Sequence, residues 1–228
     1  MDIRKTATAL AALLPLATGA AQATEITLPA GYTAAYGAVY NPATDTSYVA
    51  IAADSQSVTF SDAWLAINDI AAQGGPQGWL ATIYSAQENS AIANGFAARG
   101  LDLWGYRIGA VRGNTRDAFG AIIPDYSGGW FWNGNTSEPM GYANWAPGDP
   151  DNLWGNQFTA RFQHDGQWDD TSADAGFDAL NNVHYNLGFV AEFAGNVSVS
   201  AVPEPGSYAL MLAGIAAVGC IARRRSGR

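Results

Sequence analysis

NWAPGDPDNLWGNQFTARFQHDGQWDD, residues 144–170, is the stretch whose reading decides the fold. Between positions 149 and 178 stand seven Asp and a single Arg, Arg161. Pro147, Gly148 and Pro150 break regular structure, so the first acids lie on a loop. Closely spaced carboxylates on a loop suit a hard cation, since Ca²⁺ takes roughly 6–8 oxygen ligands. Downstream, Asp165-Gly166 separates Phe158–Phe162 from Gln167–Asp169. A D-G pair between such runs predicts a hairpin, because both turn positions favour positive φ. That hairpin would bring Asp169 and Asp170 back toward Asp149 and Asp151.

Upstream of this stretch, the reading alternates between β and helix. Thr33–Tyr40 and Ser47–Ala53 read as strands broken by Asn41-Pro42. Ala63, Ile67, Ile70 and Ala71 recur at helical spacing, and Gly74-Gly75-Pro76 ends that helix. Gly78–Ile83 is a short buried strand by its apolar run. Ser85 and Glu88 form a capping box, with Glu88 reaching back to the Ser85 amide. The helix they open should carry Ile92 and Phe96 and end near Arg99-Gly100. Trp104–Ala110, Trp130–Gly134 and Leu187–Phe193 read as further strands.

The two ends differ from the middle. Arg4 and Lys5, an apolar run from Ala7 to Ala17 and Ala21-Gln22-Ala23 follow the plan of a secretory signal peptide. Residues 1–23 are therefore expected to be removed. At the other end, Pro203-Glu204-Pro205 precedes an apolar run over 208–222 and an Arg cluster at 223–225 and 228. This order resembles the PEP-CTERM sorting signal of Gram-negative bacteria. The resemblance covers 202–228. It implies export across the inner membrane, a short transmembrane helix over 208–222 as a transient anchor, and an exosortase as processing partner at Pro203-Glu204-Pro205. It also implies placement at the cell surface or in an exopolysaccharide matrix. Residues 197–201 are expected as a linker.

The domain left between the ends, 24–196, is of ordinary single-domain size. Residues 24–200 hold 5 Arg, no Lys and 18 Asp and Glu, a formal charge of −13. Nucleic acid is not a partner for such a surface, because phosphate contacts need basic side chains. Cys220 is the only cysteine and lies in the terminal apolar run. Internal disulfides, thiolate zinc sites and a cysteine nucleophile are therefore excluded from the domain.

Taken in order, these pieces resemble the C-type lectin-like domain over about residues 36–194. Leu80-Ala81-Thr82-Ile83, Ser85 and Glu88-Asn89 match the family's Leu-Ala-x-Ile-x-Ser-x-x-Glu-Asn run. Arg107-Ile108-Gly109 stands where the family usually has Trp-Ile-Gly. Trp130-x-Trp132, Tyr142-x-Asn144-Trp145, Pro147-Gly148, Trp168-Asp169-Asp170 and Phe189–Glu192 complete the series. The fold implied is α+β: two helices on antiparallel strands with a long loop, here without disulfides. The family's half-cystine positions fall on Ile67, Thr159, Ala173 and Ala191.

In calcium-binding members, a triplet such as Glu-Pro-Asn supplies ligands on either side of a cis proline. Its counterpart here is Asp149-Pro150-Asp151. The resemblance carries the ligand set over to Asp149, Asp151, Gln157, Asp169 and Asp170. It places carbohydrate contacts at Asp149, Asp151, Gln157 and Asp169, and Trp154 offers a ring for stacking. The triplet departs from the family in one chemical respect. Asn and Gln amides donate hydrogen bonds, whereas ionised Asp only accepts. Trp145 reads better as an anchor of the loop than as a sugar contact.

His164 and His184 are too far apart in sequence, and too short of a third ligand, to suggest a metal pair. Asn135-Thr136-Ser137 and Asn196-Val197-Ser198 fit the glycosylation triplet, a pattern short enough to arise by chance. The expectation is a non-enzymatic, exported carbohydrate-binding module with Ca²⁺ as candidate cofactor and polysaccharide or glycan as partner. The alternative is a structural or protein-binding matrix component that uses the fold without sugar.

Overall fold

The computed structural model describes residues 22–34, 36–113, 115–116, 122–123, 128–132, 139–178 and 183–199. The leader at 1–21, the triplet Asn135-Thr136-Ser137 and the sorting segment with its apolar run at 208–222 lie outside them. Among the described residues no helix is long and apolar enough to cross a membrane.

The helices are α1, Phe60–Ala72, and α2, Ala86–Ala97. The first strands are β1 (Thr24–Ile26), β2 (Tyr32–Thr33), β3 (Ala38–Asn41), β4 (Thr46–Ala53) and β5 (Gly78–Leu80). The middle ones are β6 (Tyr106–Arg112), β7 (Thr115–Arg116), β8 (Ile122–Ile123), β9 (Trp130–Trp132), β10 (Thr159–Phe162) and β11 (Trp168–Thr171). The last are β12 (Phe177–Asp178), β13 (Val183–His184), β14 (Gly188–Ala194) and β15 (Val197–Val199).

The main sheet has the order β11-β10-β6-β14-β4-β2, with β3 on β4, β5 on β14 and β9 on β6. Its centre is β4 against β14, antiparallel from Gly188↔Ala52 to Ala194↔Thr46. Side chains alternate between the sheet's two faces. Val49, Ile51, Phe189, Ala191 and Phe193 enter one core, with Ile67 and Ile70 of α1. Tyr48, Ala50 and Val190 enter the other, with Ile92 and Phe96 of α2.

The expected antiparallel sheet is in fact mixed. β6 and β14 run parallel, as do β1 and β15. The second pair also shows that Val197–Val199, expected as linker, is strand. Val197 is buried, and its amide donates to Ser47 Oγ at 3.0 Å. The apolar residue at this position gives the strand a place in the core, which the polar neighbours conceal.

Both helices start as their sequences direct. The Thr59 hydroxyl accepts the Asp62 amide at 3.0 Å, and Ser85 accepts the Glu88 amide at 3.1 Å. The second half of the expected capping box is absent. Glu88 instead accepts the Tyr84 amide at 2.7 Å and the buried Tyr48 hydroxyl. A buried phenol needs an acceptor, and Glu88 is the group within reach. The expected strand 78–83 keeps regular pairing only through Leu80, and Trp79 on it points outward at 43% exposure.

Where the resemblance places half-cystines, the chain uses other chemistry. Ile67 and Ala191 are buried in the same core. Thr159 Oγ1 lies 3.0 Å from the Thr171 carbonyl and 3.1 Å from that of Ser172. It accepts from Arg107 Nη1 at 3.0 Å. The Arg107 guanidinium also donates to the carbonyls of Val58 (3.0 Å), Ser172 (2.9 Å) and Asp174. This fully buried side chain thereby joins β6 and β10 to the segments before α1 and after β11. Burial, and then the nearby Arg161, push its pKa down to about 9, so it remains charged at neutral pH.

Candidate functional site: an acidic loop over the end of the sheet

The D-G pair forms the expected turn. Asp165 and Gly166 have φ of 59° and 72°. A Cβ on Gly166 would stand 2.7 Å from that of Ala93, so α2 itself requires glycine there. The Gly166 carbonyl accepts the amides of Asn89 (2.9 Å) and Asn144 (2.8 Å). The hairpin register pairs Phe162 with Trp168, Arg161 with Asp169, Ala160 with Asp170 and Thr159 with Thr171.

Trp168 holds the long loop. Its indole N–H donates to Asn89 Oδ1 at 2.9 Å. Its ring meets Tyr142 (5.6 Å), Trp132 (5.8 Å) and Trp145 (5.8 Å), each edge-on. The Trp168 amide donates to Asn144 O and its carbonyl accepts the Ala146 amide, both at 2.8 Å. Trp145 also packs 4.7 Å from Trp130. Trp145 is thus the loop's anchor, which fixes where the next residues emerge.

Those residues form the acidic site. The peptide bond between Asp149 and Pro150 is cis. Carboxylate oxygens of Asp149, Asp151 and Asp170 all lie within 4.8 Å of one another. Asp170 is fully buried, and it organises the loop by accepting two backbone amides. Its Oδ1 takes the Asp151 amide at 3.0 Å and its Oδ2 the Asn152 amide at 2.8 Å. Asp151 Oδ1 accepts the Leu153 amide at 2.9 Å.

Electrostatics reflect the crowding. Burial first, then Asp169, Asp170 and Asp151, raise the Asp149 pKa to about 6. Burial also raises that of Asp170, against the lowering effect of its two backbone donors.

Gln157, the other ligand expected on the loop, packs on the backbone of Asp170. Its Nε2 donates to the Asp170 carbonyl at 2.7 Å, so its amide end lies against that residue. Its Oε1 is buried without a hydrogen-bond partner. A buried carbonyl oxygen of this kind is costly unless something pairs with it. Three converging carboxylates carry the same cost in charge. An all-oxygen set with a surplus of negative charge fits Ca²⁺ on both counts.

Asp169 stands differently. Strand alternation places it on the face opposite Asp170. Its Oδ2 accepts Arg161 Nε at 3.0 Å, Arg161 Nη2 at 2.6 Å and Gln163 Nε2 at 3.1 Å. Arg161 also donates to the Tyr185 carbonyl at 2.6 Å. Its guanidinium lies 5.7 Å from the Trp104 ring and 5.4 Å from the Tyr185 ring.

Trp154 is 85% exposed, and its φ of 68° holds the ring outward from the loop. Asn152, not singled out from sequence, also has positive φ, at 50°. Its Oδ1 accepts the Gln157 amide at 3.0 Å. The signal for Asn152 was its residue type, since Asn tolerates this backbone region. The signal for Arg161 was symmetry, because a turn centred on Asp165 sets positions 161 and 169 opposite each other.

Away from the loop, His164 Nδ1 lies 2.6 Å from Asp102 Oδ2 at the surface. His184 is not within the acidic cluster.

The two helices, the mixed sheet and the long loop over its end are the arrangement that the resemblance to the C-type lectin-like domain implies. The chain carries in addition a PEP-CTERM protein-sorting motif, matched at residues 201–226. Among solved structures it is similar to the mouse scavenger receptor C-type lectin carbohydrate-recognition domain, at 21% identity and TM-score 0.46. That match covers 70% of this chain and 96% of the other. A second is the cow C-type carbohydrate-recognition domain of CD23 in the presence of GlcNAc2Man3 oligosaccharide. There the identity is 20%, the TM-score 0.46, and the cover 75% of this chain and 98% of the other. A third is human lithostathine, at 18% identity and TM-score 0.45, covering 73% and 99%. No curated protein sequence matches the chain.

Proposed function

We propose that this protein is exported and binds carbohydrate through a Ca²⁺ ion held on the acidic loop. The observation that carries the reading is the convergence of Asp149, Asp151 and Asp170 within 4.8 Å; Gln157, whose buried Oε1 has no hydrogen-bond partner, is bonded to the Asp170 carbonyl. Asp149, Asp151, Asp170 and Gln157 would hold the ion. Bound there, Ca²⁺ would take further oxygens from outside the protein, because these side chains leave its coordination incomplete.

The protein's own groups do the rest. Carboxylate oxygens of Asp149 and Asp151 accept hydrogen bonds from sugar hydroxyls. Asn152 supplies the amide that the triplet lacks. The exposed Trp154 ring offers a flat apolar face for the carbon side of a pyranose. The sorting motif supports export and delivery to the cell surface of a Gram-negative bacterium, where matrix polysaccharide is the ligand in reach. An exosortase acting near Pro203-Glu204-Pro205 and a transient membrane anchor at 208–222 belong to the same proposal.

The two acceptor-only ends of the triplet favour a second reading, a structural or protein-binding matrix component on the same fold. Thermal unfolding with Ca²⁺ and with a chelator, followed by a glycan screen in both conditions, separates the two. A ligand that binds the native state raises its stability by mass action. A calcium shift with calcium-dependent glycan binding is the expected result. No calcium shift and no glycan signal would remove the lectin reading.

A further inference from the structure

We infer that Arg161 withholds Asp169 from the cation site and so sets the affinity of that site for its ion. This rests on the calcium reading above. Three N–H groups converge on one oxygen, Asp169 Oδ2: Arg161 Nε, Arg161 Nη2 and Gln163 Nε2, at 3.0, 2.6 and 3.1 Å. A cation approaching that oxygen would have to displace a bidentate ion pair that is largely shielded from water. Both partners are buried, Arg161 at 8% and Asp169 at 7% exposure.

Arg161 is not free to yield. Its remaining Nη1 is held by the Tyr185 carbonyl at 2.6 Å, and its guanidinium carbon lies over the rings of Trp104 and Tyr185, at 5.7 and 5.4 Å. It cannot turn toward β6 instead, because the residue opposite it there is Arg107, another buried cation. The sheet therefore carries a row across β11, β10 and β6: Asp169, Arg161, Arg107. In this row Asp169 is the counter-charge of Arg161, and Arg107 behind it is near Asp174 and Asp62 instead.

The consequence concerns charge as well as ligand count. With Asp169 paired, the loop presents three carboxylates, and the Arg161–Asp169 pair contributes no net charge. With Arg161 removed, Asp169 Oδ2 keeps one donor of three, Gln163 Nε2, and the neighbourhood gains one negative charge. Arg161 acts as a positioning residue; it does not touch the ion itself.

The test is calorimetric titration of the purified full-length protein with CaCl₂ after chelator treatment, on three forms. Arg161→Met should bind calcium on the order of tenfold more tightly than wild type, from one added charge near a divalent ion. Arg161→Met combined with Asp169→Ala should return to the wild-type affinity, because the pair is neutral in total. A double variant that binds tenfold or more weakly than wild type would show Asp169 to be a ligand and overturn the inference. So would an Arg161→Met protein with unchanged affinity.

Folding of each form is followed by circular dichroism in chelator. Should the single variant not fold, the double one decides, since exchanging a whole buried ion pair for neutral side chains is tolerated better than orphaning one charge. If wild type binds no calcium, the reading beneath fails separately. Calcium binding gained in Arg161→Met would then still uphold the withholding of Asp169, and no gain would overturn it.

Discussion

Asp149→Asn should act in opposite directions with and without calcium. In the metal-free protein, the Asp149 carboxylate is partly buried beside Asp169, Asp170 and Asp151, and its pKa rises from 3.8 to about 6. One pKa unit corresponds to about 1.4 kcal/mol of differential interaction. The full shift would set a ceiling near ~3 kcal/mol, and solvent screening of this partly exposed group reduces it to about 1 kcal/mol. The sign follows from linkage. The native state holds the Asp149 proton more tightly than the unfolded chain, so this group's contribution falls as pH rises from about 4 to about 6. Asn keeps the shape and removes the charge. At pH 7.5 in chelator, Asp149→Asn should therefore be more stable than wild type by about 1 kcal/mol, or ~2–4 °C in Tm for a domain of this size. At pH 4 the difference should vanish, because wild-type Asp149 is then protonated. In excess calcium the order should reverse, since wild type gains about 2.7 kcal/mol at a hundredfold excess over Kd and the variant gains less. Thermal unfolding at the two pH values, with and without calcium, reads all four cases. A metal-free variant less stable than wild type at pH 7.5, or an equal gain at pH 4, would refute the crowding argument.

Asp170→Ala should cost about 1–2 kcal/mol without calcium, since the partly shielded amides of Asp151 and Asn152 lose their acceptor; urea unfolding in chelator measures this, and the calcium shift should disappear with it. Arg107→Met should lower stability by about 2–4 kcal/mol, because it leaves the carbonyls of Val58, Ser172 and Asp174 without the donor that joins them. A urea midpoint unchanged from wild type would show that the junction is not held by this side chain. Trp154→Ala should leave stability within about 0.5 kcal/mol, as expected for a ring that is 85% exposed. Glycan affinity should fall roughly tenfold if the ring contributes an aromatic contact of about 1 kcal/mol or more; binding assays on immobilised glycans with calcium give the comparison.

Much of the fold was legible because its signals are local. Ser85 caps α2 by the chemistry of a hydroxyl three residues before a free amide. Gly166 permits the turn through its positive φ, and Asp165 supports it. These need no partner from elsewhere in the chain. The Glu88 carboxylate shows the limit of such reasoning. Its local partner would be the Ser85 amide, yet it bonds the Tyr84 amide and Tyr48, which is 40 residues away. The strand at Val197–Val199 was hidden for the same reason, since its pairing partner, β1, lies at the opposite end of the sequence.

The candidate site divides along this line. By itself, the sequence determined an acid-rich loop, a tight hairpin behind it, and the residue types that could serve a cation. The tertiary structure decided which of those carboxylates meet. Asp169 and Asp170 are adjacent in sequence, but strand alternation turns them to opposite faces. Asp170 receives the amides of Asp151 and Asn152, and Asp169 receives Arg161. Which face a side chain takes, and which charge waits there, depends on the pairing of β10 with both β11 and β6. The β10–β11 hairpin is local, but the pairing of β10 with β6 is a property of the folded sheet, because it joins strands far apart in the chain.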